Sequence, residues 1–161
     1  MKQLNATQKT MLISAIIIII GILLSGPIGL LITLIKPQPQ WQDEITFVAN
    51  YHPVQKIPYM FGFILIIGFT LFISASFRLA STGAQKILRI AANIFTAAYV
   101  ALVGLNYAIQ VSLVPALTFK QPSWTALLTM ANPHSIGWIL EMYGYGFLGI
   151  ATILIAPVFK K

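Results

Sequence analysis

The chain contains no cysteine. That absence removes disulfides, thiolate zinc sites, iron–sulfur clusters and thiol redox catalysis. Charge is scarce too: 8% of residues are charged, and only 3 of 161 are acidic. Soluble domains carry about 25% charged residues, so a water-facing surface could not be built from this chain. Other signatures are missing as well. No serine sits in a G-x-S-x-G turn, and there is no P-loop, dinucleotide fingerprint or haem-attachment motif. His52, His134, Glu44 and Glu141 do not fall at the spacing of a metal motif, so no metal and no cofactor are assigned.

What is present is hydrophobic: 58% of the residues, with a formal net charge of +7. The basic residues form no stripe with interleaved aromatics, which argues against nucleic acid. In a membrane protein they report topology and headgroup contact instead. Four apolar runs, about 11–35, 57–77, 87–117 and 135–159, each reach the roughly 20 residues that cross a bilayer. The stretch "AIIIIIGILL" does not alternate, so barrel strands are excluded and helices are expected. The first run is too long for a signal peptide and no A-x-A-like site follows it, so it reads as a retained anchor. The fold class is all-α, an integral membrane four-helix bundle, and residues 1–161 form one domain.

Lys2 and Lys9 precede the first run, Arg78, Lys86 and Arg89 flank the turn between the second and third, and Lys160 and Lys161 follow the fourth. All fall on one side. The positive-inside rule puts both termini and that turn in the cytoplasm of a cell membrane. The outer side carries Lys36, Lys56 and Lys120 with Asp43 and Glu44. Pro37 and Pro39 end the first helix. Trp41, Ile45 and Val48 then recur at helical spacing, with Asp43 and Glu44 in the first turn, which predicts a short interfacial helix. Ser123 is expected to cap a second one carrying Trp124, Leu127 and Leu128, and Asn132–Pro133 to start the fourth span. Trp41, Trp124, Tyr51 and Tyr59 suit an aromatic belt.

At about 100° per residue, His134, Gly137, Trp138, Glu141, Gly144, Tyr145, Leu148 and Thr152 share one face of the fourth helix. Ile139, Tyr143, Phe147, Ile150 and Leu154 lie opposite. A charge at the centre of a spanning helix costs about 3 kcal/mol even on lenient insertion scales, so the Glu141 face should turn inward. On the third helix Tyr99, Val103, Asn106, Gln110 and Leu113 share a face at matching depth. The second offers Tyr59, Thr70 and Ser74. The first offers the small-residue row Ser14, Gly21, Ser25 and Gly29, with a kink expected at Pro27.

"NYAIQ" and "NPHSIGWILEMYGYGFLG" together resemble a group of uncharacterised bacterial multi-pass membrane proteins. The shared positions are Asn106, Tyr107 and Gln110, then Asn132, Pro133, Ser135, Trp138, Glu141, Gly144, Tyr145 and Gly146. The resemblance covers most of the chain after Trp41 and implies an architecture, not an activity.

The leading expectation is a non-enzymatic membrane protein that binds or transports a small molecule, lipid or proton through a polar pocket around Glu141. Asn106, Gln110, Trp138, Tyr145 and Tyr107 are the candidate pocket residues, with His134 on a proton path. Two readings stay open beside it. One is a membrane-embedded enzyme on a lipid-soluble substrate, with Glu141 as general acid or base. The other is a structural or accessory subunit that pairs Glu141 with a partner helix. Expected partners are membrane lipids, with a small-molecule or lipid ligand and a second copy of the chain left open, and no nucleic acid.

Overall fold

A computed structural model describes residues 4–37, 40–79 and 83–159. Lys2, Pro39, Lys160 and Lys161, used above for topology and helix ends, lie outside them. The described residues form six helices and no strand. Four are long and apolar enough to cross a membrane: α1 (Ala6–Thr33), α3 (Pro53–Leu79), α4 (Gly83–Leu117) and α6 (Ile136–Phe159). Two short ones, α2 (Glu44–Asn50) and α5 (Pro122–Leu128), lie in the connections before α3 and α6.

Helices are what this sequence must form in lipid, because every backbone polar group has to be satisfied within its own segment. Side-chain caps open the first and last spans. Asn5 and Gln8 exchange side-chain and backbone hydrogen bonds at 2.9 and 3.0 Å to open α1. Ser135 accepts from the Trp138 N–H at 3.0 Å to open α6. The helix start expected at Asn132–Pro133 therefore falls at Ser135, while Asn132 ties the preceding turn by accepting from the His134 N–H and donating to the Ala126 carbonyl.

In lipid the spans cannot gain from a hydrophobic effect between them, so close packing takes over. Among the described residues α1 packs chiefly on α3 and is otherwise largely exposed. Its contact is reciprocal. A Cβ on Gly21 would sit 2.9 Å from the Leu65 side chain of α3, and one on Gly68 of α3 would sit 2.8 Å from Ile18 of α1. Ser14, Gly21 and Gly29 of the small-residue row are buried, and Ser25 is half-buried. Pro27, which lacks an N–H, does more than kink the helix: Leu24–Ile28 widens into a π turn, and the Ser25 hydroxyl donates to the Gly21 carbonyl at 2.7 Å.

α4 packs closely along α6, and α3 packs along α4. On α6 the buried residues are Gly137, Glu141, Gly144, Leu148, Ala151, Ile155 and Val158. These recur every four and three residues, the seven-residue pattern of a helix seam. That corrects the expected face. Trp138 and Thr152 are exposed, one position to the side of this seam, while Tyr145 between them is half-buried. On α4 a π turn at Ile109–Leu113 shifts the phase, so Leu113 is exposed, against expectation, and Val114 is buried.

Thr7 and Thr10 of α1 share a groove with Arg78, and Gln85 donates to the Pro157 carbonyl at 3.3 Å. The starts of α1 and α4 and the ends of α3 and α6 are therefore together at one end, here the basic end. α2 and α5 pack on each other over the opposite end, the cap. Asp43 caps α2 by accepting from the Thr46 N–H at 2.7 Å. Its anchor is Phe47, ringed by Trp41 and Tyr51 at 5.6 and 5.8 Å, whereas Ile45 is 77% exposed. α5 starts without a side-chain cap at Gln121. Ser123 lies inside it, and its buried residue is Thr125 rather than Trp124 or Leu127.

Candidate functional site

Beneath the cap, the chain's one intramembrane acid meets the polar residues of α4. Glu141 is 6% exposed. Its Oε2 accepts from Asn106 Nδ2 at 2.9 Å, and its Oε1 lies 3.1 Å from the Tyr107 hydroxyl. Tyr107 is in turn 3.0 Å from the Tyr145 hydroxyl. Gln110 donates from Nε2 to Asn106 Oδ1 at 3.0 Å and to the Leu128 carbonyl at 2.9 Å, and it accepts from the Met130 N–H at 3.0 Å.

The polarity of this network is set by the backbone. The Met130 N–H can only donate, so Gln110 must present its oxygen there and its amide nitrogen to Asn106. Asn106 must then turn its own nitrogen to Glu141. One carboxyl oxygen thus always receives an N–H. The other faces two hydroxyl rotors, which can reverse. With Glu141 ionised, Tyr107 donates to it and accepts from Tyr145. With Glu141 protonated at Oε1, it donates to Tyr107, which donates to Tyr145. Both states keep every bond, and the partners are neutral.

Local packing makes room for this. Gly62 of α3 lies against the Tyr107 ring, so close that a Cβ would overlap it. A Cβ on Gly137 would overlap the Leu128 carbonyl and come within 3.0 Å of Gln110 Nε2. The Tyr59 and Phe63 rings flank Tyr107, each with its centroid 5.9 Å away. Deeper in the bundle, Tyr99 meets Tyr145 edge-on at 5.6 Å, and its buried hydroxyl has no hydrogen-bond partner.

Of the candidate residues, the structure brings together Glu141, Asn106, Gln110, Tyr107 and Tyr145. Trp138 does not join them: it is 37% exposed, on the outward side of the α6 seam. His134 is exposed, its backbone bonded to Asn132, and its side chain takes no part in the network. Among the described residues, no cluster of three or more His, Asp or Glu could hold a metal ion. Sequence reasoning missed Gly62, Leu128 and Met130. The last two act through their backbone, which residue type does not reveal.

On the cap side, a crevice of about 10 Å³ is lined by Phe47, Tyr51, Gln55, Lys56, Tyr59, Gln110, Val114 and Thr129. That is room for about one water. The Tyr51 hydroxyl and Gln55 Oε1 are buried there without hydrogen-bond partners. Burial pushes the Tyr51 phenol above its ordinary range. The crevice reaches Gln110 and Tyr59, while Glu141 is not part of its wall.

Comparison with protein-family models, with curated proteins and with solved structures returned no match.

Proposed function

We propose that this integral membrane protein takes up a proton, or a small hydrogen-bonding molecule that carries one, at Glu141 from the cap end, without catalysing a reaction. The observation that carries this reading is the asymmetry of the carboxyl's partners. One oxygen is fixed by an amide chain anchored on backbone, and the other joins a tyrosine pair whose hydroxyls can reverse. Such an arrangement keeps each of its hydrogen bonds whether or not Glu141 carries the proton. On the cap side the crevice brings room for about one water as far as Gln110 and Tyr59, next to the network. By the positive-inside rule the cap would face outward and the basic end the cytoplasm.

A second reading has its own observation. Both carboxyl oxygens and both amides are filled by the chain's own groups, as a purely structural keystone would require. Proton flux into liposomes separates the two. The proposal predicts flux with the native chain, its loss in Glu141→Gln, and a drop of about tenfold or more in Tyr107→Phe, within the usual range for removing a proton-transfer group. Flux no greater than in protein-free liposomes would leave only the keystone.

A further inference from the structure

The basic end carries a groove that the Glu141 network does not use. It lies between α3 and α4. Its mouth, about 710 Å³, is lined by Ser74, Phe77, Arg78, Arg89 and Asn93. A hollow of about 410 Å³ continues from Ser74 and Asn93 along Thr70, Ala97, Val100 and Ala101. The Arg89 guanidinium lies 3.7 Å over the Phe77 ring and donates to the Phe77 carbonyl, which holds it at the mouth. Its Nε is buried without a hydrogen-bond partner, and Arg78 is exposed beside it. The chain's three acidic side chains are all elsewhere: Asp43 and Glu44 at the cap, Glu141 in its network. No carboxylate side chain of this protein answers the two guanidiniums.

We propose that this groove binds one anionic phospholipid, its phosphate on Arg78 and Arg89 and an acyl chain in the hollow beside Ala97 and Ala101. Guanidinium forks match phosphate oxygens bidentately. Basic pockets between spanning helices at the membrane boundary suit anionic headgroups. The two arginines sit at that boundary, at the end of α3 and the start of α4. A free phosphate would fill the mouth alone. The continuing hollow suits a chain, and the same two helices expose Ile67, Leu71, Ile90 and Ile94, as lipid-facing helices do.

The test uses the whole protein in neutral detergent, with phosphatidylglycerol or phosphatidylcholine added and bound lipid counted by native mass spectrometry. The expected result is one retained phosphatidylglycerol, with a preference of about tenfold over phosphatidylcholine that Arg78→Gln with Arg89→Gln abolishes. Ala97→Leu keeps both guanidiniums and should lower retention of the same lipid, which guards against a folding defect in the double variant. Millimolar inorganic phosphate should not displace the lipid. No preference in the native chain, a preference unchanged in the double variant, retention unchanged in Ala97→Leu, or full displacement by inorganic phosphate would overturn the proposal.

Discussion

Gln110 holds the Met130 N–H at 3.0 Å and the Leu128 carbonyl at 2.9 Å, and so ties α4 to the backbone of the cap. That one side chain sets the direction of every hydrogen bond down to Glu141. Gln110→Ala would strand two backbone groups and the Asn106 oxygen in a closed space. Leaving buried polar groups unmade costs about 1–3 kcal/mol. The variant should lose thermal stability in detergent, and the Met130 amide should exchange faster with deuterium. Unchanged exchange at Met130 would mean that the cap is held by something else.

Contact between Gly62 and Tyr107 leaves no space for a methyl group, and the same holds for Gly137 over the Leu128 carbonyl. Gly62→Ala and Gly137→Ala should each destabilise by about 1–3 kcal/mol, the usual range for overpacking. Gly146→Ala is the control, because nothing lies within 4 Å of a Cβ built there. Equal melting temperatures for all three variants would argue against the tight α3–α4–α6 packing.

The cap should respond to acid through Asp43. Its carboxyl is held below the usual carboxylate range because it accepts from the Thr46 backbone N–H and then from the Thr46 hydroxyl. A depressed folded-state value means that the stabilisation is present above the ordinary carboxylate range and is lost as pH falls through the folded value. Protection of the α2 amides should fall with acidification in the native chain. In Asp43→Asn, which caps without titrating, that protection should stay level with pH. Identical pH profiles would remove Asp43 from the account.

Trp138 provides a check on the α6 register. It shares a helical face with Glu141 at 100° per residue, but the structure turns it outward. Trp138→Phe should leave stability and proton flux unchanged, while Tyr145→Phe should alter flux. The opposite pattern would place the buried seam one position away.

The spans were legible because continuous apolar runs in lipid leave few alternatives, and the convergence of Asn106, Gln110 and Glu141 followed from polar positions at matching depth on two helices. Finer phase was not legible. Leu113 fell on the wrong side because a π turn departs from a uniform 100° step, and Trp138 because it sits at the margin of the α6 seam, where sharing a face does not decide burial. The cap was recognised as helical, yet its anchors, Phe47 and Thr125, were not, because short helices are set by what they pack on rather than by their own periodicity. The roles of Leu128 and Met130 lie in backbone groups that every residue possesses.

The central claim is that Glu141 exchanges a proton within a network that stays bonded in both states. Infrared difference spectroscopy, comparing the native chain with Glu141→Gln across about pH 4 to 10, measures this directly. The account predicts a carboxyl stretch that changes with pH, vanishes in Glu141→Gln and moves together with tyrosine ring modes that Tyr107→Phe removes. A Glu141 band that stays fixed over the whole range, with unmoved tyrosine modes, would contradict it.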